Sequence, residues 1–214
     1  MCPFSKLRCC FKSQKMLFVF VLLMLLIWGS GLNKPLFYMI NSLHVYFPDL
    51  IWVIMNTITY PKLFILPIIL LVITWLYKKE QLLNVILIIV SYYVVFLLIK
   101  VFSAEPRPYA VLPMDSFYLM QGIQDMAGDA FLSFPSGHAG NAAVFVFTLN
   151  RLIFDKKIGL RFVMYAFLLL VALARVCTGW HWPLDVMASI FVGYLIVLIE
   201  YSINLSSIKR KINL

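Results

Sequence analysis

The chain has 214 residues, of which 63% are hydrophobic, 16% aromatic and only 13% charged, and this composition excludes a soluble domain. The formal charge of +9 comes from short basic clusters at the ends of apolar runs, which argues against a nucleic-acid partner. The four cysteines have the spacing of neither a metal site nor a disulfide framework: Cys2, Cys9, Cys10 and Cys177. We therefore predict a single integral-membrane domain over residues 1–214, with an all-α architecture.

Six apolar segments are predicted to cross the membrane. The first, Met16–Leu32, follows a basic stretch without acids. It is expected to be an uncleaved helix that enters from the cytoplasm rather than a signal peptide, because no A-x-A site follows it. The region Pro35–Tyr60 mixes polar and aromatic residues and is expected to form one or two amphipathic helices at the outer interface, with His44 on the surface. The later spans follow in order: Leu63–Tyr77, Leu82–Ile99, His138–Phe154, Leu160–Val176 and Pro183–Asn204.

The distribution of Lys and Arg orients these spans. With both termini in the cytoplasm, five of the 18 basic residues lie outside: Lys34, Lys62, Lys100, Arg107 and Arg175. This asymmetry is typical of membrane proteins. A seventh crossing through Pro35–Tyr60 would move the later basic clusters to the side opposite the N-terminus, so six spans are the better interpretation.

A polar loop leads into the fourth span, with the sequence FPSGHAGN at residues 134–141. Pro135 fixes the backbone, Ser136 is placed to cap the following helix, and Gly137 allows a ligand to approach the main chain. His138 then falls on the first helical turn. Backbone N–H groups at a helix start form an anion site, most often for phosphate. The simpler alternative is an ordinary interfacial turn.

Three cations fall at the same outer ends of the spans. Lys100 lies at a helix end and Arg107 just beyond it, so both could point into one pocket. Fixed cations suit a phosphate dianion, and Arg adds bidentate geometry. The alternatives are a snorkelling lysine and an exposed loop charge. Arg175 is harder to dismiss, because an ionisable residue at the end of an apolar span is costly and usually functional.

His181 and Asp185 are four residues apart across Trp182-Pro183. The helix is expected to begin near Pro183, with His181 just before it and Asp185 in its first turn. A carboxylate there could fix the imidazole tautomer and leave the other ring nitrogen basic, as a histidine nucleophile needs. The alternative is a pair that only caps the helix. Two histidines and three cations around one anion site suggest phosphoryl transfer without a metal, since the loop acids lack ligand spacing.

Three motifs resemble the signature of the type-2 phosphatidic acid phosphatase superfamily: Lys100-x6-Arg107-Pro108, Pro135-Ser136-Gly137-His138 and Arg175-x5-His181-x3-Asp185. That group includes bacterial lipid phosphatases and soluble vanadium haloperoxidases. The motifs cover a catalytic core of about residues 100–185, and the six-span layout extends the resemblance to nearly the whole chain. One departure is Ala174, where the family usually has Ser, and it puts the fine geometry of the third motif in doubt.

The resemblance implies a six-helix bundle with its site at the outer membrane face and with no metal or other cofactor. It implies that His181 attacks phosphorus to form a phosphohistidine, that Asp185 orients His181, and that His138 protonates the leaving oxygen. It also implies a set of phosphate-binding residues: Lys100, Arg107, Ser136, Gly137 and Arg175.

The placement of the site suggests a lipid phosphate or diphosphate substrate whose tails stay in the bilayer. Candidates are lipid A, undecaprenyl diphosphate, phosphatidylglycerophosphate and phosphatidic acid, and a compact chain of this kind looks like a protein of the bacterial inner membrane. We hypothesise that Val101–Ser133 and Pro35–Tyr60 select the headgroup. The alternatives are a protein that binds or flips phospholipids without hydrolysis, a haloperoxidase, and a purely structural membrane protein.

Overall fold

The computed structural model describes residues 18–120, 129–154 and 157–202. These ranges contain helices and no strand, so the all-α prediction is confirmed. The α-helices, numbered α1 to α9, are Phe18–Gly29, Asn33–Asn41, Asp49–Thr59, Ile65–Tyr77, Leu82–Ser103, Pro108–Val111, Gly137–Leu152, Ile158–Cys177 and Pro183–Ser202. Short 3-10 helices cover Ser42–Tyr46, Pro61–Leu63 and Lys79–Gln81.

Helix α7 is the centre of the described structure. It packs against α9, α8, α4, α5 and α3, and most of its residues are buried. Small residues make this position possible, because Ala139, Ala142 and Ala143 are fully buried where a larger side chain would hold the neighbouring helices apart. Helix α7, which follows the polar loop, therefore lies at the centre of the helix packing.

Helices α7 and α9 approach each other closely at two glycines. A Cβ added to Gly193 would lie 2.9 Å from the Cβ of Ala143 and 3.4 Å from the carbonyl oxygen of Gly140. A Cβ added to Gly140 would lie 2.2 Å from ring atoms of Phe96 on α5. These positions have no room for a side chain, so the two glycines fix how closely the three helices pack.

Three helical segments in the described ranges are long and apolar enough to cross a membrane: Lys79–Val111, Ile158–Cys177 and Pro183–Ser202. A fourth crossing would need Phe18–Gly29 and Asn33–Tyr46 together, and these are bent by 99° relative to each other. Helices α4 and α7, with 13 and 16 residues, are shorter than the roughly 20 residues that a bilayer core requires. The membrane architecture is thus supported, whereas the six-span count and the orientation stay predictions.

The region Pro35–Tyr60 contains two helices, α2 and α3, separated by a 3-10 turn. Both pack against α8, and α3 also contacts α7. His44 lies in the 3-10 turn, where its ring stacks on Tyr118 with the ring centres 4.0 Å apart. Helix α3 buries Trp52, Asn56 and Thr59 on one face. The segment is therefore part of the helix packing around the site, and its position at an outer interface stays a prediction.

Candidate active site

The eight residues predicted for the site lie at helix ends and in the adjoining loops. Lys100 is in the last turn of α5, Arg107 directly precedes α6, and Arg175 is in the last turn of α8. Ser136, Gly137 and His138 start α7, whereas His181 and Asp185 flank the start of α9. Coulombic interactions connect Lys100 with Arg107, Arg175 and Asp185, and connect His138 with all three cations. The structure thus brings the predicted residues of the three motifs into one place.

His181 is held at both ring nitrogens. Its side chain is 1% exposed, and Nδ1 lies 3.4 Å from Oδ2 of Asp185. On the other side of the ring, Nη1 of Arg107 lies 3.2 Å from Nε2. An arginine can only donate, so this contact assigns the Nε2 lone pair as acceptor and places the ring proton on Nδ1, facing the carboxylate. That is the neutral tautomer in which Nε2 is nucleophilic.

The Asp185 carboxylate is fixed by its neighbours. Its Oδ2 accepts the hydroxyl of Ser133 at 2.5 Å and the backbone N–H of Trp182 at 2.9 Å, in addition to the contact with His181. The predicted His-Asp pair therefore forms, and two further donors keep the carboxylate in place.

Arg107 is buried, with 4% exposure, and it is anchored from several sides. Its Nε donates to the carbonyl of Asp129 at 2.8 Å, and Nη1 donates to the carbonyl of Trp180 at 3.0 Å. The guanidinium also lies over the Trp180 ring, 5.4 Å from its centre. The alternative of an exposed loop charge is thus wrong for Arg107. The packing fixes this cation beside Nε2 of His181.

Two other predicted residues carry buried polar atoms without a partner. Arg175 is 1% exposed and donates from Nη1 to Asn56, but its Nε and Nη2 have no hydrogen-bond partner among the described residues. The same holds for the hydroxyl of Ser136, which is fully buried. Buried donors of this kind are rarely left unpaired in proteins. An anion between these residues would satisfy them.

The expectation that the Ser136 hydroxyl caps α7 is wrong. Ser136 occupies the N-cap position, but its side chain makes no capping hydrogen bond. Its own backbone N–H donates to the carbonyl of Asp185 at 3.4 Å. This bond ties the start of α7 to the start of α9 and leaves the hydroxyl available to a ligand.

His138, Gly137 and Lys100 are each positioned by a neighbouring element. The His138 ring stacks on Tyr60 with the ring centres 5.3 Å apart, and the backbone of Asn56 hydrogen-bonds to it. The Gly137 carbonyl accepts the hydroxyl of Tyr92 at 2.7 Å, and the Lys100 ammonium donates to the carbonyl of Leu132 at 2.5 Å. Lys100 therefore binds the loop before α7 and is more than a snorkelling side chain.

The electrostatics of the site favour a neutral His181. Burial lowers the pKa of His181 well below its usual value, and the positive charges of Arg107, Arg175 and Lys100 lower that pKa further. A phosphate dianion bound among the same cations would raise the pKa of His181 part of the way back. The free site therefore holds a deprotonated imidazole next to an excess of positive charge, which suits attack on an anionic phosphorus centre.

Sequence reasoning missed several residues that contact the site, among them three with polar side chains bound to its charged groups. Asn56 binds Arg175, Ser133 binds Asp185, and the backbone and carboxylate of Asp129 bind Arg107. Ser133 had a local signal, because it lies three residues before Ser136 in the same loop. Ala174, the position where the family usually has Ser, is fully buried in an apolar cluster that includes Trp52 and Cys177. Among the described residues, no group of three His, Cys, Asp or Glu side chains could hold a metal ion.

Comparisons with known proteins agree with the fold. A sequence model of the PAP2 superfamily matches residues 81–208. The crystal structure of LpxE from Aquifex aeolicus is similar with a TM-score of 0.63 and 25% identity, covering 80% of this chain and 95% of that chain. The crystal structure of the first transmembrane PAP2-type phosphatidylglycerolphosphate phosphatase, from Bacillus subtilis, gives a TM-score of 0.61 and 21% identity over 89% of this chain and 95% of that chain. No curated protein sequence matches significantly.

Proposed function

The chain belongs to the PAP2 superfamily, and on that premise we propose that it is a membrane lipid phosphatase that works through a phosphohistidine. One observation carries the proposal: His181 lies between a carboxylate at Nδ1 and an arginine at Nε2, with contacts of 3.4 and 3.2 Å. A headgroup-binding site needs cations but has no use for an oriented imidazole. Hydrolysis through a phosphohistidine uses both the cations and the oriented imidazole.

In the first step, Nε2 of His181 attacks phosphorus while the bond from phosphorus to the lipid oxygen breaks. The imidazole becomes positively charged, and the fixed Asp185 carboxylate stabilises that charge through the Nδ1 proton. His138, protonated once the phosphate dianion offsets the surrounding cations, gives its proton to the departing oxygen, so the lipid leaves as an alcohol or, from a diphosphate, as a monophosphate.

In the second step, water attacks the phosphohistidine and the bond from phosphorus to Nε2 breaks. His138 takes the proton from the water, which returns it to its starting state and releases inorganic phosphate. Throughout, the phosphoryl oxygens are held by the cations Lys100, Arg107 and Arg175, by the Ser136 hydroxyl and by the Gly137 backbone N–H. Fixed donors aimed at developing charge are the largest contribution in many enzymes.

The substrate proposed is a lipid phosphate or diphosphate in the outer leaflet of a bacterial inner membrane. Large apolar side chains are widely exposed, among them Phe102 with 83% and Trp28 with 74% exposure, as expected of helices that face lipid. Phosphatidylglycerophosphate stays a candidate alongside lipid A, undecaprenyl diphosphate and phosphatidic acid. The likeness to the Bacillus enzyme shows the fold alone and does not choose among them.

The test is phosphate release by the purified protein in detergent from those four lipids, with and without excess chelator. His181→Ala tests the nucleophile, and His44→Ala is the matched control, because that imidazole stacks on Tyr118 outside the motifs. We expect release that survives chelation, disappears in His181→Ala and persists in His44→Ala. Absence of release from all four lipids by the folded protein would refute the proposal and favour headgroup binding or flipping. Release that the chelator abolishes would refute the metal-free mechanism.

A further inference from the structure

Asn56 lies on α3, far in sequence from the three motifs, and yet it contacts the site. Its side chain is 3% exposed, and its Oδ1 accepts Nη1 of Arg175 at 2.6 Å. A short bond from a charged guanidinium to a buried amide oxygen is among the stronger polar contacts that a protein makes. Asn56 is thus a fixed acceptor for a buried cation.

The bond to Asn56 leaves the rest of the Arg175 guanidinium unpaired. Within the described ranges, Nε and Nη2 of Arg175 have no hydrogen-bond partner, whereas Nη1 is bound to Asn56. A guanidinium is planar and rigid, so holding one terminal nitrogen fixes the directions of the other two. The free nitrogens can then bind two phosphoryl oxygens without first being ordered.

Helix α3 is itself held in register with α8. Trp52, one helical turn before Asn56 on the same buried face, packs in a cluster with Ala174 and Cys177, which flank Arg175. The backbone of Asn56 also hydrogen-bonds to the ring of His138. The same turn of α3 therefore contacts both the arginine and the second histidine of the site.

We infer that Asn56 is a positioning residue that orients Arg175 for binding the phosphoryl group. The inference rests on the proposed function, because it concerns the same phosphate site. It predicts that loss of the Asn56 acceptor weakens phosphoryl binding only while Arg175 is present. A residue with a purely structural role would act regardless of the arginine.

The experiment is a double-mutant cycle on the full-length protein in detergent. Asn56→Leu removes the acceptor at nearly constant volume, Arg175→Ala removes the guanidinium, and the double variant closes the cycle. Thr59→Val is the matched control, since Thr59 shares the buried face of α3 and its hydroxyl bonds, within the described part of the chain, only to the Met55 carbonyl of its own helix. The readouts are orthovanadate affinity by calorimetry, which needs no turnover, and kcat and KM on the best lipid substrate.

We expect Asn56→Leu to weaken orthovanadate binding about tenfold, as the loss of one charge-assisted bond would. Thr59→Val should have little effect, and Asn56→Leu should add nothing in the Arg175→Ala background. Equal weakening with and without Arg175, or wild-type affinity in Asn56→Leu, would overturn the inference. If Asn56→Leu does not fold, Asn56→Ser takes its place in the cycle under the same two criteria. Wild-type protein that binds vanadate but releases no phosphate would refute the proposed function alone.

Discussion

Replacement of Asp185 by Asn tests how much the carboxylate contributes to the reactivity of His181, the proposed nucleophile. Asn keeps an oxygen that can accept the N–H of Trp182 and the hydroxyl of Ser133, so the start of α9 should keep its structure. What disappears is the negative charge facing Nδ1 of His181. The perturbation is therefore electrostatic, with little change of packing at a residue that is 4% exposed.

The expected loss of kcat follows from the weakened contact between Nδ1 of His181 and the side chain at position 185. A hydrogen bond to a charged group contributes about 1.5–3 kcal/mol, and about 1.4 kcal/mol corresponds to a tenfold change in rate. The distance of 3.4 Å between Nδ1 and Oδ2 is long for such a bond, which favours the lower end. We expect kcat to fall roughly 10- to 30-fold in Asp185→Asn. His181→Ala should lose about 10⁴-fold or more, because it removes the attacking atom.

The assay is phosphate release under saturating lipid, with Ser133→Ala as a companion variant. That variant removes one donor to the carboxylate but keeps its charge, so a loss of only about threefold is expected. A loss in Asp185→Asn as large as that in His181→Ala would refute the orienting role and indicate that the carboxylate takes part in bond making. An unchanged kcat would show that the pair serves only to cap α9.

Two further predictions use the cations and the helix packing. Arg107 helps to lower the pKa of His181, so Arg107→Gln should raise that pKa and shift the acidic limb of the kcat/KM profile to higher pH. The ionisation of the substrate phosphate is the same for both proteins, so it does not contribute to the shift between their profiles. An acidic limb that stays in place or moves to lower pH in Arg107→Gln would contradict this reasoning. Gly140→Ala should destabilise the protein by about 1–3 kcal/mol, because its Cβ would fall 2.2 Å from the buried Phe96 ring. Gly159→Ala is the control, as nothing lies within 4 Å of its Cβ, and equal thermal unfolding midpoints would refute the packing argument.

The sequence predicted those features of the site that depend on local spacing. His181 and Asp185 are four residues apart at a helix start, and that geometry alone brings a carboxylate within reach of a ring nitrogen. The polar loop before α7 likewise predicted a helix beginning at about His138, and the structure starts it one residue earlier, at Gly137. Sequence spacing suffices for both features, because the residues involved lie within about one turn of the start of a single helix.

Contacts between distant segments could not be predicted in this way. Asn56 and Arg175 are 119 residues apart, and nothing near Asn56 in the sequence marks it as the partner of an arginine. The Ser136 hydroxyl shows the opposite error: a residue type that usually caps helices was assigned that role from its position. In the folded chain its backbone N–H bonds to Asp185, and the hydroxyl is left without a partner among the described residues.

The close packing of α7 on α9 explains why the site needs small residues far from the chemistry. Ser136 and His138 start α7, and Asp185 lies in the first turn of α9, so the distance between the two helix axes sets the distance between these groups. Gly193 and Ala143 allow the close approach, and the bond from the Ser136 N–H to the Asp185 carbonyl fixes the register of the two helix starts. A side chain that separated the helices by even an ångström would move His138 away from His181, and misplacement on that scale can cost about 100-fold in rate. In the proposed mechanism, the glycines of the helix pair therefore set the distance between the two histidines as well as contributing to stability.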